Sequence, residues 1–157
     1  MRILGIDPGT GILGFGIVDI DARGKASLVD AGVIRTPVKE EDAVRLQTIF
    51  DELTDIITNS KPQVMAVEKL FFAQNVTTAM TVAQARGVVL LCGQQQQLKL
   101  YEYTPLQIKM ALTGYGRADK KQMQEMVRVI LGLNEVPKPD DCADALATAL
   151  TCAQSVR

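Results

Sequence analysis

Histidine and tryptophan are missing from the 157 residues, cysteine occurs three times, and four Phe and three Tyr supply all the aromatic rings. Without histidine there is no Ser-His-Asp triad, no Cys-His dyad, no imidazole base and no histidine-ligated zinc. Any acid-base or metal chemistry must run on carboxylates, Lys, Tyr or Cys. Cys92, Cys142 and Cys152 form no CxxC pair and cannot all be paired, which reads as buried small hydrophobes in a reducing cytosol rather than a secreted disulfide framework. No signal-peptide pattern opens the chain, since Met1 and Arg2 lead into a short apolar run cut off by Asp7-Pro8-Gly9. Uninterrupted apolar stretches such as 88–92 are far too short to span a bilayer. The expectation is a cytoplasmic protein that meets no membrane.

What is present is an ordinary globular composition, 47% hydrophobic and 22% charged with net charge −1, and the length predicts one domain over 1–157. The charge is unevenly placed. Residues 1–60 hold six Lys/Arg against ten Asp/Glu, 61–128 hold nine against four, and 129–157 hold two against four. Such a split can set a basic face beside an acidic pocket.

Periodicity predicts strands at 2–7, 15–20 and 27–35 separated by turn residues, an opening antiparallel meander. Apolar residues at helical spacing from Ala43 to Ile57 predict a helix over 42–59, ended by Pro62. A short apolar run at 63–68 ends in an acid and fits a buried strand parallel to the first. A helix over 77–97, a strand at 98–103, a helix to 112 opened by Thr104-Pro105, a helix over 120–131 capped by Asp119, and a last helix over 141–154 opened by Pro139-Asp140 complete the order. It predicts an α/β architecture, a mixed five-stranded sheet flanked by helices.

Four carboxylates stand out against this frame. Asp7 closes the first strand, where a charge costs free energy unless paired, protonated or bound to a cation, although Asp-Pro-Gly is also a good turn sequence. Glu68 repeats the pattern at the end of a second strand, and open α/β sheets gather ligand groups at the carboxyl ends of parallel strands. Asp141 and Asp144 lie three apart at the start of the last helix, on one face. A cap or first-turn acid accounts for Asp140 and Asp141, but poorly for Asp144 among small apolar neighbours. Together the four form a hard oxygen set suited to Mg²⁺ or Mn²⁺. A pair of such ions roughly 3.5–4 Å apart can activate water and stabilise the leaving oxygen of an in-line phosphoryl displacement. Lys69, Lys109, Arg117, Lys120 and Lys121 supply cations for phosphates nearby in sequence, and Gly114-Tyr115-Gly116 is a backbone-exposed turn beside them. Phe71 and Phe72 follow Glu68 closely; core packing is one reading, and one ring in and one out as a base wedge is the other.

GIDPGTGILGFGI at 5–17, AVEKLFFAQN at 66–75, QARGV at 84–88 and DDCADALATA at 140–149 closely resemble, in order and spacing, the RuvC-type crossover junction endonucleases of bacteria. The resemblance covers about residues 2 to 153. It implies an RNase H-like fold and a Holliday junction resolvase of homologous recombination and DNA repair. By it, Asp7, Glu68, Asp141 and Asp144 match the metal-binding catalytic acids, with Asp140 an additional acid. Phe71 matches the aromatic inserted at the junction crossover, and Lys109 and Lys120 match basic residues of DNA contact. The helix around 77–97 matches the dimerisation element. The implied reaction is Mg-dependent hydrolysis of one phosphodiester in each of two opposed strands of a four-way junction, leaving 5′-phosphate and 3′-hydroxyl ends. Two cuts need two sites, which a two-fold homodimer presents, and branch-migration motors of the RuvA and RuvB type are the expected partners. Two other readings compete: a junction-binding scaffold that does not cleave, and an actin- or sugar-kinase-like phosphotransferase, which normally needs two copies of this fold.

Overall fold

The computed structural model describes residues 1–69 and 76–156. Strands β1 (Arg2–Asp7), β2 (Ile12–Ile20) and β3 (Ala26–Arg35) form the meander, followed by α1 (Asp42–Ser60), β4 (Val64–Glu68), α2 (Val76–Gln95), β5 (Lys99–Tyr103), α3 (Pro105–Thr113), α4 (Lys120–Leu131) and α5 (Asp140–Ser155). The sheet order is β3-β2-β1-β4-β5, with β1–β2 and β2–β3 antiparallel and β1–β4 and β4–β5 parallel. The mixed five-stranded α/β sheet expected from the sequence is therefore present. Boundaries differ by more than one residue in two places. β2 starts at Ile12, because Ile12 and Leu13 pair with Arg35 and Ile34 across the hairpin. α2 stops at Gln95, and Gln97 turns the chain with φ 57°.

Local signals explain the helix ends. Thr104 and Asp119 each close a capping box, with Gln107 and Gln122 respectively. α1 ends at a left-handed Lys61, one residue before Pro62. Pro139 stands at the N-cap of α5 and its side chain makes no capping hydrogen bond, so Asp140 and Asp141 are first-turn acids rather than caps.

Pleat alternation divides the core in two. Leu4, Ile6, Met65 and Val67 face α1 and α2, joined by Ile49, Leu53, Ala85 and Val89. Ile3, Val64 and Ala66 face the opposite side, under α5 with α3 and α4 around it. By the same period of two, Asp7 and Glu68 belong to the α5 side. All three cysteines are buried and unpaired.

α2 is, among the described residues, the helix long and apolar enough to cross a membrane by length and composition. It is docked on the sheet through Ala85, Val89 and Cys92, and carries Arg86 in an ion pair with Glu102 of β5. Its other side leaves Val76, Met80 and Leu91 exposed.

α5 packs very closely on the glycines of β1 and β2. A Cβ on Gly5 would collide with the carbonyl oxygen of Ala145 and come 2.7 Å from the Ala149 nitrogen; on Gly14 it would collide with the Asp141 carbonyl. Both neighbours are backbone, which cannot swing aside. Gly14→Ala is therefore expected to lift the first turn of α5 and cost about 2 kcal/mol of stability, measurable by urea denaturation. A loss under about 0.5 kcal/mol would mean that α5 does not rest on this strand.

Candidate active site

β1 and β4 run parallel and in register, Ile6 opposite Val67, so the next residues of each strand, Asp7 and Glu68, emerge side by side at their carboxyl ends. Asp7 also stands across from Gly14 of β2. Because Gly14 has no side chain, the backbone of Asp141 rests directly on that strand beside Asp7. One turn further on, Asp144 is the only half-exposed position in an otherwise buried run from Cys142 to Ala153. The helix is apolar because it is core; Asp144 interrupts it where the helix passes the strand ends.

The electrostatics record this convergence. Burial, followed by repulsion from Glu68, Asp144 and Asp141, pushes the Asp7 carboxyl up to about 8, with Lys120 pulling the other way. Glu68 rises to about 7, again through burial first and Asp144 second; a hydrogen bond with Asp7 and the charge of Lys120 oppose the shift. Burial also raises Asp144, and Lys120 offsets part of that rise. Asp7, Glu68 and Asp144 thus act on one another across three elements, and the charge of Asp141 is felt by Asp7 and Asp144.

Lys120, the first residue of α4, is the cation of the cluster, with its Nζ 3.2 Å from Asp144 and 3.3 Å from Asp140. Asp140 faces α4, where it also accepts a hydrogen bond from Gln124 Nε2 at 2.9 Å. It belongs to the α4–α5 contact rather than to the Asp7–Glu68 pair. Among the described residues no group of three or more His, Cys, Asp and Glu side chains is arranged around a single point to hold a metal ion. The donor set nevertheless fits a hard divalent cation. Every group is a carboxylate on a rigid element, and their mutual repulsion exceeds what one ammonium relieves.

Two cavities open on the acids and share Glu68 and Pro105. One, of about 220 Å³, is lined by Asp7, Pro8, Glu68, Lys69, Val82, Arg86 and Pro105. The other, of about 210 Å³, is lined by Glu68, Pro105, Lys109, Lys120, Asp144 and the apolar Ile108, Met123 and Ala147. Lys109 and Lys120 therefore lie beside Glu68 and Asp144 in this cavity. Arg117 is exposed in the α3–α4 connection, and Lys121 lines a separate cavity on the far side of α4 with Tyr115, Gln122 and Met126. Phe71 and Phe72 lie outside the described residues.

Arg86 is the site residue that sequence reasoning left without a role. It reaches the Asp7–Glu68 cavity from α2 while paired with Glu102, and its Nε and the Glu102 Oε1 are buried with no other hydrogen-bond partner among the described residues. The available signal was a lone charge inside the apolar stretch from Val82 to Cys92. A buried charge in such a stretch requires a partner.

The family model for crossover junction endodeoxyribonuclease RuvC matches residues 3–152. This chain belongs to the RuvC family. The RuvC of Heliobacterium modesticaldum is 54% identical over 156 residues, covering 99% of this chain and 96% of that one. The RuvC of Fusobacterium nucleatum is 52% identical, covering 96% and 79%. The solved structure of Thermus thermophilus RuvC in complex with a Holliday junction substrate superposes with a TM-score of 0.94 at 39% identity, covering 100% of this chain and 95% of that one. The fold is accordingly the RNase H-like fold of RuvC nucleases, as the sequence motifs implied.

A raised carboxyl pKa has a definite sign in stability. The unfolded chain releases the Asp7 proton near the ordinary 3.8, whereas the folded chain holds it up to about 8. Between those values the folded state binds more protons, so stability falls as pH rises. In chelator, Asp7→Asn is expected to be more stable than the unaltered chain by about 2 kcal/mol at pH 8, the difference vanishing toward pH 4. Thermal melts across that range decide it; a difference independent of pH would show that Asp7 is not held protonated.

Proposed function

We propose that this RuvC-family nuclease resolves four-way (Holliday) DNA junctions in homologous recombination and repair, hydrolysing one phosphodiester in each of two opposed strands to leave 5′-phosphate and 3′-hydroxyl ends. The observation that carries the reading is that Asp7, Glu68 and Asp144 meet at the strand ends with Asp141 beside them, and that burial and mutual repulsion of Asp7 and Glu68 are incompletely offset by Lys120. These four are the catalytic and metal-binding acids. Mg²⁺ is the expected ion, two per site, with Mn²⁺ able to replace it; bound there, it supplies an activated water and charge stabilisation at the leaving oxygen.

The chain's own groups do the rest. Asp7 and Glu68 give up the proton that burial and repulsion hold between them, and so are ready to become dianionic when a cation arrives. Lys120, released from Asp144, is free to meet the phosphate backbone, and Lys109 does so from the next turn of the cavity wall. Arg117 and Lys121, on either side of the start of α4, extend the positive surface along the DNA. Phe71 is the crossover wedge. The exposed Val76, Met80 and Leu91 of α2 support a homodimer built on that helix, which gives the two equivalent cuts their two sites. Motor proteins of the RuvA and RuvB type bring the junction, and the work takes place in the cytoplasm.

The deciding experiment incubates the purified chain with a labelled synthetic four-way junction, with Mg²⁺ or with chelator. Paired, ligatable nicks that require Mg²⁺ are expected, and Asp7→Asn should reduce them by at least about a thousandfold while junction binding stays within a few-fold. Mg²⁺ should also raise the melting temperature of the unaltered chain and not that of Asp7→Asn. Binding lost in step with cleavage would refute the assignment of Asp7 as a metal ligand. Lys120→Ala should flatten the salt dependence of junction binding by about one unit of log slope; an unchanged slope would confine Lys120 to its contacts with Asp140 and Asp144.

A further inference from the structure

The cavity holding Glu68, Lys120 and Asp144 has a neighbour across Lys109. Beyond it lies a recess of about 320 Å³ lined by Pro105, Leu106, Lys109 and Gly116, and Pro105 and Lys109 are common to both. The recess thus adjoins the acid site across Pro105 and Lys109, and the lining passes from carboxylates and ammoniums on one side to hydrocarbon on the other. Leu106 and Met110 are 60% and 49% exposed. They fall with Lys109 on one face of α3, at i, i+3 and i+4, while Ile108 and Leu112 point the other way into the core. Neither Leu106 nor Met110 belongs to the core cluster on which α3 packs. Polar residues would serve equally well if the face met only water.

Gly116 completes the recess. A Cβ there would stand 2.6 Å from Leu106 Cδ1 and 3.5 Å from Met110 Sδ, so the missing side chain lets the turn after α3 close against both. A cation next to the reacting groups, followed at once by an apolar slot, is the pattern a nucleotide presents: an anionic phosphate, then a flat, poorly hydrated ring.

Resting on the reading of this chain as a junction nuclease, we propose that Leu106, Met110 and Gly116 form a seat for one unstacked nucleobase of the strand being cut, beside the phosphate held by Lys109. The seat contacts the faces of the ring and bears no hydrogen-bonding side chain. It selects by size, shape and ease of unstacking rather than by base edges, and so gives cleavage a preference for local sequence.

The test uses a set of four-way junctions differing only in the bases around the cut, digested by the unaltered chain, Leu106→Ala, Gly116→Ala and the double variant. The ratio of rates between the best and worst junction is compared within each protein. That ratio is expected to fall about tenfold in Leu106→Ala and to change in Gly116→Ala, which displaces Leu106; adding Gly116→Ala to Leu106→Ala should have little further effect. Both positions are at the surface, and melting temperatures check that each variant is folded. Folded variants that cut with an unchanged ratio overturn the base seat and leave the nuclease reading standing. An unchanged ratio with an altered sedimentation coefficient also overturns it, assigning the patch to a contact between protein chains. No cutting of any junction by the unaltered chain removes the nuclease reading and the seat together.

Discussion

The site depends on how closely one helix lies on two strands. α5 touches β1 and β2 backbone to backbone because Gly5 and Gly14 leave no side chain between them. That approach fixes the height of Asp141 and Asp144 above the strand ends where Asp7 and Glu68 emerge. A helix on a sheet with ordinary side chains between them would ride several ångströms higher, and its acids would miss their counterparts. The small residues of Cys142-Ala143 and Ala145 serve the same end, since they are core filling thin enough to keep the helix low.

Placing four acids on such a frame works against the stability of the empty protein. The repulsion is written into the raised pKa values of Asp7 and Glu68, which burial and neighbouring charge both increase. The core on both faces of the sheet supplies the rigidity that keeps these groups from moving apart. Lys120 relieves part of the strain through Asp144 and Asp140, and Arg86 with Glu102 closes the opposite rim. The charge arrangement therefore leaves a carboxylate excess that a cation from outside would offset.

Much of this could be read from residues alone, for identifiable reasons. A single acid at the end of an apolar strand is conspicuous, so Asp7 and Glu68 could be found, and pleat alternation with parallel register then brings them together. Asp144 was visible against its alanine neighbours. Sequence could not sort the lysines, because Lys120 and Lys121 differ by one position and so by about 100° around α4: one meets the acids, the other a separate cavity. Nor could it find the Arg86–Glu102 pair. Its partners are sixteen residues apart on a helix and a strand, and only their packing shows that they meet. The start of β2 was misjudged because the Gly-rich stretch before Phe15 looks like a turn, whereas Gly14 within it is part of the floor on which α5 rests.

The order of the chain sets when the site can exist. Asp7 is joined to Glu68 by a parallel pairing across some sixty residues, and to Asp144 by a helix that follows every other element. Contacts of such long sequence separation form late in folding, after the meander and the local helices. α5 leaves the ribosome after the strands that carry Asp7 and Glu68, so Asp141 and Asp144 join those acids only once that helix has been made. A nuclease built this way completes its set of acids only when the helix made after both strands has docked on them.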